Sequence, residues 1–183
     1  TLGNQFPFLL PDTAMNDGQE VLQRVNSSED IEVLTRLARV IWTECYTPII
    51  GAAQVEYMLD NLHSPDVIFK QIAEENYFYF LLKAHHESVG YIGFFANDKH
   101  LFLSKIYVAL SVRGTGLGRN ALEFIKEAAQ LNGIKKIALA VNKNNSNTIA
   151  AYYKLGFIKT GEVCVDIGGG YYMDDFQMEL LLN

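Results

Sequence analysis

The chain has 183 residues, of which 49% are hydrophobic and 20% charged, and its formal net charge is −6. That length suits one domain with a sizeable core, and the composition is that of an ordinary soluble globular protein. The acidic balance argues against a general nucleic-acid or anionic-membrane surface; it is compatible with a cationic substrate, although solubility alone accounts for it.

No uninterrupted apolar run is long enough to cross a bilayer. The opening stretch TLGNQFPFLLPDTAMNDGQE carries two prolines and no basic flank, so it does not read as a secretory signal. Residues 1–19 read as an N-terminal extension, part of it a cloning remnant or a loose segment, with the folded domain over 20–183. The expected compartment is the cytoplasm. Cys45 and Cys164 stand far apart in apolar surroundings and read as buried free thiols rather than a disulfide or metal site. His85-His86 falls in a polar turn, and no metal site is expected there.

EVLQRV, at 20–25, alternates and reads as a first strand. Ser27-Ser28 then offers an N-cap, with Glu29 and Asp30 suited to a first helical turn. Ile31, Leu34, Leu37, Val40 and Ile41 follow at helical spacing, which predicts a helix to about Thr43. Pro48 ends that region. GAAQVEYMLDNLHS reads as a second, shorter helix, and Pro65 after His63-Ser64 opens a third.

Beyond this the period changes. NYFYFLLKA (76–84), SVGYIGFFA (88–96) and HLFLSKIYVAL (100–110) are strand-like runs at hairpin spacing, which predicts an antiparallel meander. After a glycine-rich turn, GRNALEFIKEAAQLNG reads as an amphipathic helix stopped by Gly133. IKKIALAV (134–141) is apolar almost throughout and reads as a strand of the buried type. NSNTIAAYYKLGF reads as a short helix closed by Gly156. FIKTGEVCVD and YYMDDFQMELLL read as a last strand pair around IGGG, where Gly168, Gly169 and Gly170 suggest a mobile loop. Asp174-Asp175 reads first as a solvated strand edge and second as an attraction for a cationic acceptor. This order describes a mixed sheet with helices on its faces.

The turn VRGTGLGR (112–119) joins a strand to a helix, which aims free backbone N–H groups and the positive end of the helix at one spot. Glycines let the backbone approach an anion closely, and Arg113 and Arg119 can add charge-assisted hydrogen bonds. A phosphate loop would end in Gly-Lys-Ser/Thr, which is absent. A dinucleotide fingerprint would need glycine or alanine where Arg119 stands, early in a parallel fold, not after a meander. A tight loop with no ligand is the bland alternative.

KIYVALSVRGTGLGRNAL resembles the cofactor motif of the GCN5-related N-acetyltransferases, Arg/Gln-x-x-Gly-x-Gly/Ala, with Arg113, Gly116 and Gly118 in the matching positions and Gly114 as a frequent extra glycine. LAVNKNNSNTIAAYYKLGF is similar to the family's Asn…Tyr-x-Lys-x-Gly-Phe block, and IWTECYTPIIGAAQVEYML to its variable N-terminal helices. The resemblance spans nearly everything from Glu20 onward. It implies an α+β, three-layer fold, with a central, mostly antiparallel twisted sheet and helices on both faces.

It also implies acetyl-CoA as cofactor and transfer of its acetyl group to a primary amine, small-molecule or peptide, by direct attack. A homodimer is a further implication; nucleic acid and membrane partners are not. On this resemblance the backbone of Arg113, Gly114, Thr115, Gly116, Leu117, Gly118 and Arg119 holds the pyrophosphate. Ile106, Tyr107 and Val108 pair with the pantetheine arm, and the Val108 N–H points at the thioester carbonyl. Asn145 contacts the pantetheine or the amide, and Tyr152 donates a proton to the departing thiolate; the plainer reading of Tyr152 is a core tyrosine. Many members carry a glutamate on the strand before the turn, and none stands in HLFLSKIYVAL. Glu44, in WTECY, is the candidate base in its place, with a solvated helix-end charge as its other reading. The missing glutamate also leaves open a non-catalytic acyl-CoA-binding regulatory or sensor module of the same fold.

Overall fold

The computed structural model describes residues 8–12, 15–16, 19–20, 22–97 and 99–183. Two short strands, β1 (Met15–Asn16) and β2 (Gln19–Glu20), pair with each other. The main sheet has seven strands. In chain order these are β3 (Leu22–Arg24), β4 (Phe78–Ala84), β5 (Glu87–Ala96), β6 (Leu101–Val108), β7 (Lys136–Asn142), β8 (Ile158–Gly168) and β9 (Tyr171–Leu181). In space they run β3-β4-β5-β6-β7-β9-β8, and every neighbouring pair is antiparallel except β6 with β7.

Five helices cover the sheet: α1 (Ser28–Ile50), α2 (Ala52–Leu62), α3 (Pro65–Glu74), α4 (Leu117–Leu131) and α5 (Ser146–Lys154). Strand alternation splits the core in two. Phe78, Phe80 and Leu82 of β4 pack with Leu122, Phe124 and Ile125 of α4 on one face. Tyr79 and Leu81 of the same strand pack with Leu34, Ala38 and Ile41 of α1 on the other. The result is the expected α+β architecture of three layers. Among the described residues, no helix is long and apolar enough to cross a membrane.

Local chemistry sets the helix starts. The Ser27 hydroxyl accepts from the Asp30 N–H at 3.1 Å, and the Asp30 carboxylate accepts from the Ser27 N–H at 3.2 Å, which closes a capping box. Ser64 caps α3 with Pro65 in its first turn.

The structure departs from the sequence reading in five places. Helix α1 does not stop near Thr43 but runs through Pro48 to Ile50. Proline removes one hydrogen bond and crowds the carbonyl four residues back, yet the last turn persists because Tyr46 and Ile50 pack on the core and Gly51 closes the helix onto the Thr47 carbonyl. Strand β7 is not buried on both faces: Ile137, Leu139 and Val141 are buried while Ala138 and Ala140 are only half-buried. Gly168, Gly169 and Gly170 do not form an open mobile loop. All three have positive φ, and they turn β8 tightly into β9 against the ring of Tyr57, which a Cβ on Gly169 would meet at 2.7 Å. Cys164 lies exposed on the edge strand β8, and Cys45 is half-buried, so neither is the buried thiol expected. Finally, part of the N-terminal extension is docked. The Phe8 ring lies 5.0 Å from that of Phe78, and Asn132 exchanges two hydrogen bonds with Leu9.

Candidate active site

The site begins with a bulge in β6. Lys105 pairs with Gly93 and Leu103 with Phe94, so Ser104 is the extra residue in the ladder. The strand bends there, and its contact with β7 is confined to Leu101↔Ile137 and Phe102↔Ala138. Beyond Phe102 the two parallel strands separate. The gap is the mouth of a cavity of about 340 Å³, walled by β6, β7, β9 and helices α1 to α3.

The backbone of β6 faces this gap with unused groups. Ala109 donates to Val89 at 2.8 Å, so the Ala109–Val89 pair is the hydrogen-bonded one. In an antiparallel ladder the alternate residues turn their N–H and C=O away from the partner. Val108 and Ile106, opposite Gly90 and Ile92, therefore direct theirs toward the opening beside β7, where Arg113 takes the Val108 carbonyl and leaves its N–H. Gly90 is required for this approach, since a Cβ there would collide with the Tyr107 carbonyl.

At the end of β6 the chain makes a short turn, Leu110–Val112, and enters α4 through Gly116. Gly114 and Gly116 have φ of 81° and 94°, a region that disfavours any side chain. The space where their Cβ atoms would stand is open. The first hydrogen bond of α4 is from the Asn120 N–H to the Gly116 carbonyl, so the N–H groups of Leu117, Gly118 and Arg119 have no partner within the helix. No acidic residue stands in that first turn. These features fit the pyrophosphate of CoA. Thr115 turns its hydroxyl inward, to the Val112 carbonyl at 2.7 Å. Arg113 is spent differently from the expectation: its guanidinium donates to the Val108 carbonyl and to Cys45 Sγ. It braces the turn, while the exposed Arg119 keeps its charge free of any ion pair among the described residues.

The other expected residues gather on the opposite side of the gap. Asn145 caps α5 by accepting from the Thr148 N–H at 3.3 Å, and its side chain also acts on the hydroxyl of Tyr46. The Tyr46 and Tyr107 hydroxyls are 3.4 Å apart. Tyr152 turns into the core, where burial and the neighbouring Tyr46 raise its phenol above the ordinary range. Tyr153 is 51% exposed, so the two adjacent tyrosines are separated by their surroundings.

Glu44 falls outside the group. It lies on the exposed face of α1, two residues from Trp42 and Tyr46, which face the cavity. Two residues of α-helix turn the chain by about 200°, which is why a carboxylate at this position cannot share their side. Asp175 lies in the cavity wall instead. It is 6% exposed, and burial, with Asp174 beside it, pushes its carboxyl up to about 6. Asp174 is the solvated member, paired with Lys143 at 2.5 Å. The two adjacent aspartates point to opposite faces of β9, so the strand-edge reading holds for Asp174 alone.

Sequence reasoning also missed Lys105. Burial draws its ammonium down to about 8, and it lies 5.7 and 5.6 Å from the ring centres of Tyr77 and Tyr79. The visible signal was the polar pair Ser104-Lys105 inside an apolar strand. Deeper still, His63 is buried between the rings of Trp42 and Tyr91, at 5.1 and 5.5 Å. Neither ring nitrogen has a partner among the described residues, and burial together with Lys105 keeps the imidazole neutral.

Comparison with known proteins shows the family and the fold. A family model described as the acetyltransferase (GNAT) family matches residues 37–157. GCN5-related N-acetyltransferase 6, chloroplastic, from Arabidopsis thaliana is 34% identical over 68 residues, covering 36% of this chain and 24% of that relative. The match thus spans about a quarter of the relative's length. Among solved structures, the PaiA N-acetyltransferase of Thermoplasma acidophilum in complex with coenzyme A superposes with a TM-score of 0.69 at 21% identity, over 86% of this chain and 97% of that one. A GCN5-related N-acetyltransferase from Rhodopseudomonas palustris gives a TM-score of 0.73 at 14% identity, over 95% and 98%. The bulged strand, the gap beside β7 and the glycine turn ahead of α4 all lie within the matched residues 37–157, and the chain belongs to the acetyltransferase (GNAT) family.

Proposed function

We propose that this protein is an N-acetyltransferase that moves the acetyl group of acetyl-CoA to a primary amine. The observation that carries this reading is the alignment of the glycine turn with the gap beside β6, which opens into a cavity of about 340 Å³. A pyrophosphate at the N-terminus of α4 directs its pantetheine arm down that gap, past the unused backbone groups of Ile106 and the N–H of Val108. The Val108 N–H is then a donor for the negative charge that develops on the thioester oxygen.

The chemistry asks two further things of the chain. An amine is protonated at neutral pH and must lose a proton before it attacks. Asp175 is the base in this reading, in place of Glu44, because it is the carboxylate among the cavity-lining residues. The neutral nitrogen forms a bond to the carbonyl carbon as the carbon–sulfur bond breaks. The sulfur leaves with the bonding pair and takes a proton from Tyr152, whose raised phenol keeps its proton until that moment, and the new amide nitrogen sheds its surplus proton, which restores the phenol.

A thiol-release assay over a panel of amines, with acetyl-CoA in excess, tests the reading. The expected result is turnover with at least one amine and tight binding of CoA by calorimetry. Tight CoA binding with no turnover for any amine overturns it in favour of a binding module. Absence of CoA binding overturns the assignment of the turn itself.

A further inference from the structure

The cavity is lined by two charged side chains, Lys105 and Asp175, and they do not pair with each other. Neither has an opposite charge bonded to it among the described residues. Lys105 donates only to Ser104 Oγ at 3.0 Å, and Asp175 makes no side-chain hydrogen bond or ion pair. Holding an ammonium and a carboxylate without a bonded partner in one cavity is costly, because each has lost water and neither has a counter-charge in contact; Lys143 acts on Asp175 only from a distance and does not offset its burial. Such a site is complementary to a ligand that carries both charges in the reverse order.

The two charges stand on different strands of the cavity wall, β6 and β9. Asp175 is on β9 and pairs with Asn142 of β7, near the top of the gap. Lys105 is on β6 beyond the bulge, and its ammonium lies over Tyr77 and Tyr79 of the β4 side. Gly93 makes room for that arrangement, since a Cβ there would meet the Tyr79 ring at 2.5 Å. β6 and β9 are separated by β7, which is two strand spacings, or about 10 Å at roughly 4.8 Å each. Trp42, Met58, Leu62 and Val67 supply apolar wall to the same cavity.

The Lys105 end is built to receive a singly charged anion. Gln71 lines the cavity there, and its Oε1 accepts from the Tyr79 hydroxyl at 2.6 Å, which leaves its amide N–H groups to donate inward. One ammonium and one amide match a carboxylate. Among the described cavity-lining residues Lys105 is the one cation, fewer than a phosphate dianion would favour. The neutral His63 adds no charge.

We propose that the acceptor is an aminocarboxylate whose amine and carboxylate lie several bonds apart, with the amine at Asp175 and the carboxylate at Lys105 and Gln71. A linear diamine would bring a second cation to Lys105, and an α-amino acid is too short to reach both ends. The proposal rests on the acetyl-transfer reading for its chemistry, and the binding arm of its test does not.

The test compares ε-aminocaproate with hexylamine, hexamethylenediamine and glycine as acceptors. The kcat/KM for ε-aminocaproate should exceed that of each of the others by about 10- to 100-fold, as one charge-assisted carboxylate contact predicts. Lys105→Met, which keeps the side-chain length, should bring the ratio to hexylamine near unity, and Lys105→Arg should retain most of it. Calorimetry of ε-aminocaproate and hexylamine on the CoA-loaded protein reads the same preference without turnover. Preference in binding with no turnover would end the acetyl-transfer reading and leave this site standing. Hexylamine or the diamine used as well as ε-aminocaproate, equal binding of the two, or a preference that survives Lys105→Met overturns the proposal.

Discussion

Arg113 reaches from the glycine turn to helix α1, donating to Cys45 Sγ at 2.7 Å and, through Nε, to the Val108 carbonyl at 3.2 Å. The same guanidinium therefore fixes the end of β6 and the start of the turn against a helix that walls the cavity. Arg113→Ala frees the turn without touching the groups that carry out transfer. The expected effect is a three- to tenfold rise in KM for acetyl-CoA with kcat nearly unchanged, matching about 1 kcal/mol for an exposed hydrogen-bonded group. Steady-state kinetics with varied acetyl-CoA measures it; an unchanged KM would show that the brace does nothing for the turn.

Gly116 stands at the N-cap of α4 with φ of 94°. Gly116→Ala forces a side chain into the left-handed region, costing about 1–2 kcal/mol, so CoA affinity should fall about tenfold. Gly116→Asp adds a carboxylate facing the pyrophosphate, and the loss should exceed 100-fold by the added like-charge repulsion. Calorimetry with CoA separates the two. Equal losses for Ala and Asp would mean that strain alone acts and the anion sits elsewhere.

Tyr152 and Tyr153 are neighbours with different surroundings. Tyr152 is packed on Phe157 at 5.3 Å and lies near Tyr46, whereas Tyr153 faces solvent. Tyr152→Phe should lower kcat about 10- to 100-fold, the range for loss of a positioned proton donor, while CoA binding persists. Tyr153→Phe should leave both within twofold of the parent, a bound far below about 1 kcal/mol. Comparable rates for the Tyr152 variant and the parent would assign the proton to another group.

What could be read from the sequence was what local chemistry decides. The capping box at Ser27 and Asp30, the glycine turn and the meander all depend on residues within a few positions of one another. Helix α1 was read too short because Pro48 is a stop signal locally, and its tolerance comes from distant packing of Tyr46 and Ile50. The glycine turn of the candidate site was legible for the same reason the fold was: Gly114 and Gly116 sit together in sequence. The acceptor side was not. Lys105 is turned into the cavity by a bulge that needs β5 as partner, and Asp175 is buried only because β9 lies between β7 and β8. No spacing along the chain reports either event, so an exposed helix carboxylate, Glu44, was read as the base.

In the proposed reaction Asp175 serves as the base, and the same carboxyl bears on stability, so one substitution tests both. Burial and Asp174 push its carboxyl up to about 6, with Lys143 opposing them. A folded pKa above the unfolded value of about 3.9 means that folding favours the protonated acid. The ionised group therefore costs stability, by an amount that is absent below about pH 4, grows as pH rises toward 6, and is constant above that. Asp175→Asn removes this cost, so it should raise Tm by a few degrees at pH 7.5, at roughly 2–4 °C per kcal/mol in a chain of this size, and change it little at pH 4. The same variant should lose about 10²- to 10⁴-fold in kcat/KM for the amine while keeping its affinity for CoA. In the parent protein the acid limb of kcat/KM against pH should fall off near 6, because the base works only when ionised, and the variant should lack that limb. A variant that is more stable at neutral pH yet fully active would leave Asp175 as a binding group for the ammonium and take the base away from it. A variant with reduced activity but an unchanged acid limb would assign that limb to another residue.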